Sequence, residues 1–296
     1  MASEYVKDKQ KLIGIRYMLF IIAALNAVIS VVISITSSFV GSTVPIYIQA
    51  LISGLLAYII PITVYAKTTK VTAETAKERF YMKRCGIPAL VLAFLMGAAF
   101  QFVMVVVNLP VNMIFNSGAS YLPETPFELI ASVIIIAVLP AIFEEFLFRG
   151  VVVGSMVEFN TTAAAVFSSV MFAILHADIY GIIGYVVMGF VLVTIVRRCN
   201  SLYPAMLFHF ANNITALLLG YFNEELVYAP ELTIIMFVTG VISFVVIYLV
   251  FGMIYKKPEK VSTMKTGQLL GQSFVSLPVI LSVLIIIITA FLTMNM

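Results

Sequence analysis

"LPAIFEEFLFRGVVVG", residues 139–154, sets two adjacent glutamates and an arginine inside a run that otherwise reads as bilayer core. The surroundings decide how to take those charges. Of the 296 residues, 62% are hydrophobic and only 10% charged, which is too little polar surface to cover a soluble domain of that length. Segments of about 20 apolar residues recur from end to end, the length that crosses a hydrocarbon core of roughly 30 Å. The expected fold is therefore all-α, a polytopic membrane protein with about eight or nine transmembrane helices.

Spans are expected near 17–40, 46–66, 87–109, 127–156, 161–176, 181–196, 202–220, 232–254 and 275–294, the fourth of them long. The first lacks the short apolar core and small-residue cleavage site of a removable signal and is kept as a span. Short connections imply a single membrane domain, 1–296, and no sequence repeat marks two transporter halves.

The basic residues set an orientation. Lys7, Lys9, Lys11 and Arg16 precede the first span, and Lys67, Lys70, Lys77, Arg79, Lys83 and Arg84 follow the second. Arg197 and Arg198 follow the sixth, and Lys256, Lys257, Lys260 and Lys265 the eighth. These loops alternate along the chain, so the positive-inside rule makes them and the N-terminus cytoplasmic in a multi-pass cell-membrane protein. The opposite loops carry Glu124, Glu128, Asp178, Glu224, Glu225 and Glu231 and no base. Of the 17 lysines and arginines only Arg149 falls outside this scheme, inside the membrane. The loop "KTTKVTAETAKERFYMKR" reads as a solvated topology signal or an amphipathic helix on the inner leaflet. Cys85 and Cys199 fall at cytoplasmic span ends, where no disulfide is expected.

A charge at bilayer depth costs roughly 2.5–3.5 kcal/mol on the mildest insertion scale, so Glu144, Glu145 and Arg149 need partners or a water-filled cavity. Glu145 and Arg149 stand four apart with the acid N-terminal, the favourable order for an ion pair. Glu144 lies about 100° around the helix from Glu145 and is expected to point elsewhere. The two histidines of the chain, His176 in "FAILH" and His209 in "HFANN", both fall in or at the edge of spans. Phe172 precedes His176 by one turn, Asn213 shares the face of His209, and Asn212 is turned by about 100°. Counted from the cytoplasmic ends of their spans, Glu144 and His176 lie roughly 21–22 Å deep and His209 and Asn213 roughly 10 and 16 Å. One pocket part-way down is geometrically allowed.

A glutamate beside an imidazole in a low-dielectric pocket suits a general base acting on water. A second imidazole and an amide one turn away suit an oxyanion developing on a carbonyl. Together they make a water-activating amide hydrolase without a covalent nucleophile. Other intramembrane protease chemistries lack their parts. No HExxH occurs, Asp8 and Asp178 are the only aspartates and lie in flanks, and no serine stands in a GxSG context.

"EEFLFR", "FAILH" and "HFANN", in that order on successive apolar segments, resemble the EExxxR, FxxxH and HxxxN motifs of the CPBP family, the CAAX proteases and bacteriocin-processing (Abi-type) membrane proteins. The resemblance covers residues 126–220, the expected catalytic core. It implies an intramembrane glutamic endopeptidase in which Glu144 is the base aided by His176, and His209 and Asn213 form the oxyanion site. Glu145 and Arg149 would hold the pocket together. No cofactor is implied. Zinc is the alternative, with His176, His209 and Glu144 as a His₂Glu set of the kind that holds catalytic metal.

The expected partners are the lipid bilayer and a membrane-associated peptide or protein substrate, not nucleic acid. The physiological substrate, its cleavage site and the oligomeric state are not legible in the sequence. A non-catalytic scaffold regulating a sensor kinase or envelope enzyme is the competing function, and a small transporter using Glu144 as a proton relay a third. Scaffolding does not need both histidines together with Glu144. The absence of a repeat and of Gly/Pro-broken half-helices in corresponding positions argues against the transporter.

Overall fold

The computed structural model describes residues 2–40, 46–115, 123, 125–222 and 230–294. Glu124, Glu224 and Glu225, assigned from the sequence to the acidic side, lie outside them. The described residues are helical nearly throughout, and no β-strand occurs among them. In chain order the α-helices are α1 (Ala2–Val40), α2 (Ile46–Thr68), α3 (Ala73–Arg79), α4 (Ile87–Phe115), α5 (Pro126–Ser132), α6 (Leu139–Glu145), α7 (Gly154–Met156), α8 (Thr161–Leu175), α9 (Ile182–Cys199), α10 (Tyr203–Tyr221), α11 (Pro230–Ile254), α12 (Thr266–Phe274) and α13 (Leu277–Met294). Two π-helical stretches, Val133–Val138 and Phe146–Val153, flank α6.

Among the described residues, six helical segments are long and apolar enough to cross a membrane: Gln10–Phe39, Leu51–Thr68, Ile87–Val111, Pro126–Met156, Ile182–Cys199 and Ile234–Ile254. The pair Thr266–Phe274 and Leu277–Leu292, bent by 59°, makes a seventh if it is one span. The chain is thus a multi-pass membrane protein. Six or seven of the nine expected segments meet that length and composition, and two others are helices that fall short of it. Helix α8 has 15 residues, shorter than the roughly 20 a bilayer requires. Helix α10 interrupts its apolar run with His209, Asn212 and Asn213.

The chain divides into two compact units. Residues 1–82, 146–178 and 260–296 form the first, and residues 83–145 and 179–259 the second. The helical run Pro126–Met156 is shared between them, its residues through Glu145 belonging to the second unit and those from Phe146 to the first.

In the first unit α1 packs along α2 and α13, and α8 along the second π-helical stretch and α12. Tyr65 on α2 is fully buried and shares a 2.8 Å hydrogen bond with Ser155. Lys11 pairs with Glu158 at 2.6 Å. The basic loop after α2 holds the short helix α3, whose first turn is capped when Thr72 Oγ1 accepts from Thr75 N–H. A Cβ at Gly154 would overlap the carbonyl oxygen of Arg79, so only glycine lets α7 lie this close to α3. Helix α8 starts at Asn160, whose Oδ1 accepts from Ala163 N–H at 2.9 Å. The same side chain donates through Nδ2 to Ser262 Oγ, Met264 O and Thr266 Oγ1.

In the second unit α4 is the hub, packed against α9, α10 and α11. Phe100 on α4 meets Phe208 of α10 and Phe244 of α11 with ring centroids 5.4 and 5.1 Å apart. Helix α5 begins with Thr125-Pro126, the proline filling a first-turn position that needs no N–H donor, while Thr125 Oγ1 accepts from Glu128 N–H. Asn108 Oδ1 accepts from Gly184 N–H in the first turn of α9, satisfying a backbone donor that the bilayer cannot. Asn200, at φ 50°, closes α9 in the left-handed conformation asparagine tolerates. Cys85 and Cys199 both belong to this unit, and both are free thiols.

Candidate active site

Backbone irregularity prepares the ground for the site. A π-helical turn bonds i to i+5 and interrupts the regular ladder, a feature common near functional residues. Both π-helical stretches here adjoin α6, the short helix that ends in the acidic pair, one before it and one after it.

In the second unit, Glu144 and Glu145 end α6, and His209 sits in the middle of α10. His209 is 2% exposed and Glu145 not at all. His209 Nδ1 lies 3.0 Å from Glu145 Oε1. A carboxylate oxygen accepts, so Nδ1 carries the proton of that bond. The other ring nitrogen, Nε2, faces Glu144 Oε2 at 4.0 Å, an ion-pair distance longer than a hydrogen bond. The imidazole therefore stands between the two carboxylates, one at each nitrogen. Sequence spacing predicted that Glu144 and Glu145 would diverge by about 100°. They converge instead, because a glutamate's three rotatable bonds absorb that offset. The bond between Glu145 and His209 joins residues 64 apart, and no sequence pattern announced it.

Asn213, one turn after His209, donates through Nδ2 to the carbonyl oxygen of Ile136 at 3.1 Å. Ile136 lies in the first π-helical stretch, where the broken ladder leaves carbonyls open to side-chain donors. Asn212 Nδ2 donates in turn to Asn213 Oδ1 at 3.3 Å. The backbone around His209 is pinned from behind. A Cβ at Gly97 of α4 would overlap the carbonyl oxygen of Phe208, so α4 and α10 touch backbone to backbone there. The second unit thus brings Glu144, Glu145, His209, Asn212 and Asn213 together.

Arg149 and His176 belong to the first unit. Arg149 is fully buried in the second π-helical stretch. Its guanidinium carbon lies 4.3 Å from the centre of the Phe172 ring and 5.8 Å from that of Phe148. The two rings meet edge to face at 5.3 Å. His176 touches the same Phe172 ring, centroid to centroid 4.5 Å. Phe172 is therefore the common platform of a buried cation and an imidazole. The FxxxH spacing was the signal for it. His176 Nδ1 lies 2.7 Å from the carbonyl oxygen of Phe172. A carbonyl only accepts, so Nδ1 holds the proton and Nε2 is the basic nitrogen. The residue caps α8, and Ala177 follows at φ 53°. This left-handed turn is unfavourable for alanine and stops the helix abruptly at the histidine.

Among the described residues no group of three or more His, Cys, Asp or Glu side chains is placed to hold a metal ion.

Residues 126–215 match the family model described as Rce1-like, Type II CAAX prenyl endopeptidase Rce1-like. The matched span takes in Glu144, Glu145, Arg149, Phe172, His176, His209 and Asn213. No curated protein and no solved structure matches the chain.

Proposed function

We propose, starting from the premise that residues 126–215 belong to the Rce1-like family of type II CAAX prenyl endopeptidases, that this CAAX-type protease hydrolyses its peptide bond with glutamate-activated water. The observation that carries the reading is His209 standing between Glu145 at 3.0 Å and Glu144 at 4.0 Å in one unit.

Glu144 is the general base in this reading. It takes a proton from water, and the hydroxide formed attacks the carbonyl carbon of the scissile bond. The oxyanion of the tetrahedral intermediate accepts hydrogen bonds from His209 Nε2–H and from the Nδ2–H of Asn213 not directed at Ile136. Glu145 orients His209 by accepting from Nδ1–H, and the ring that donates at both nitrogens in this step is the imidazolium form. Collapse of the intermediate breaks the C–N bond, and the proton held by Glu144 passes to the leaving amine. His176 assists proton transfer through its basic Nε2, a role assigned on its motif. Arg149 serves the architecture. The substrate class is a membrane-associated peptide or protein, with the prenylated CAAX tail named by the family as the first to test.

The test is cleavage of a farnesylated CAAX peptide reporter by the purified chain in lipid nanodiscs, alongside Glu144→Gln and His209→Ala. Peptidomics of membrane and secreted fractions from the host carrying the same variants covers substrates the reporter does not mimic. Loss of cleavage in both variants, at unchanged helix content, supports the reading. Retention of the deletion-sensitive phenotype by both variants overturns it in favour of a non-catalytic scaffold.

A further inference from the structure

Asn212 stands outside the HxxxN motif, yet it is buried in α10 with 5% exposure. The direction of its hydrogen bonds can be deduced. Ile136 O can only accept, so the end of Asn213 that faces it at 3.1 Å must be Nδ2. Asn213 then presents Oδ1 to Asn212, which must answer with its own Nδ2, at 3.3 Å. One acceptor remains at the end of the chain. Asn212 Oδ1 is buried and has no hydrogen-bond partner among the described residues.

Reversing either amide would set oxygen against oxygen, so the polarity of the relay is fixed by the π-helical carbonyl at its start. The relay leaves Asn212 Oδ1 a buried acceptor without a protein partner among the described residues. A structural asparagine would be expected to satisfy both of its ends. The sense of the hydrogen bonds favours Asn213 at the expense of Asn212.

We propose that Asn212 is a positioning residue that locks the Asn213 amide with its N–H edge toward the oxyanion. Torsion about the last bond of asparagine is broad and nearly two-fold, so an amide held at one end can swing. A swing that brings Oδ1 to the oxyanion replaces a donor with an acceptor. Asn212 holds Oδ1 while Ile136 holds one Nδ2 hydrogen, and the second Nδ2 hydrogen keeps a fixed direction. The inference rests on the oxyanion role given above to Asn213.

The experiment compares Asn212→Leu, Asn212→Asp, Asn213→Ala, the Asn212→Leu/Asn213→Ala double variant and Glu144→Gln in nanodiscs with the farnesylated reporter. Leucine has the branched four-atom skeleton of the asparagine side chain without its polar atoms, so it removes the unsatisfied acceptor, and an ionised aspartate cannot donate to Asn213 Oδ1. Both Asn212 variants are expected to lose about 10-fold in kcat with KM unchanged, a value set below the roughly 10²–10³-fold of an oxyanion donor itself. Asn212→Leu is expected to melt no lower than wild type. In the Asn213→Ala background the same change is expected to cost no further turnover, because its target is gone. A lower melting temperature with normal kcat per folded enzyme would overturn the positioning role, as would an undiminished effect in the double variant. Full activity in Glu144→Gln and Asn213→Ala would instead overturn the functional reading and the positioning role with it. A substrate-free readout closes the comparison. With selective ¹⁵N-asparagine labelling, the side-chain pair that vanishes in Asn213→Ala should show two well-separated proton shifts, which approach one another in Asn212→Leu. Unchanged separation overturns the proposal.

Discussion

The two units bury opposite charges by opposite means. In the first, Arg149 lies against the faces of Phe172 and Phe148, whose quadrupoles attract a cation without themselves titrating. In the second, Glu144 and Glu145 meet at His209, whose two ring nitrogens face one carboxylate each. The aromatic cradle keeps one charge state and is suited to architecture. The imidazole between two carboxylates offers a nitrogen to each of them and is suited to chemistry. Charge inside a membrane protein is thus not one signal, because its meaning depends on the chemistry of the neighbouring group.

Substitutions can break or sharpen that contrast. The largest effect is expected in the carboxylate–imidazole unit. Glu144→Gln should lower kcat by about 10²–10⁴-fold, the contribution of a general base, with the circular dichroism spectrum and melting temperature unchanged. In the aromatic unit the sign reverses. Phe172→Ala should destabilise the chain by about 3–5 kcal/mol, seen as a lowered midpoint in denaturant, because it removes the platform under both Arg149 and His176. Gly97→Ala should cost about 1–3 kcal/mol by forcing α4 away from the Phe208 carbonyl, and activity should fall with it as His209 shifts. Glu145→Gln should have the smallest effect. Its amide oxygen can still accept from His209 Nδ1–H, so the loss is the difference between a charged and a neutral hydrogen bond, about 1 kcal/mol, read as a modest drop in kcat. A large stability loss in Glu144→Gln, or a purely kinetic effect in Phe172→Ala, would erase the distinction between the units.

The spans were legible because apolar length needs no partner to be recognised. The expected segments 181–196 and 275–294 correspond to α9 at Ile182–Cys199 and to α13 at Leu277–Met294. Glu144, His176, His209 and Asn213 stood out because polar residues are expensive in such segments. Three features stayed hidden. The π-helical stretches share the apolar composition of α-helix, so hydropathy cannot register them. The 15-residue length of α8 and the polar interruption of α10 set both apart from the longer apolar spans, although both segments were recognised as helical. The bond between Glu145 and His209 depends on which helices are neighbours, and that is settled by packing over 64 residues of sequence.

The amide of Asn160 has a consequence for biosynthesis. Its three Nδ2 bonds reach Ser262, Met264 and Thr266, and Thr161 next to it exchanges hydrogen bonds with Val261 through its N–H and its hydroxyl. The first turn of the helix that carries Phe172 and His176 is therefore completed by residues translated about 100 positions later. At about 5–20 residues per second that is a delay of roughly 5–20 s. Until then α8 has its local cap but not its C-terminal clasp, so a nascent chain cut short before residue 261 would carry the His176 helix without it.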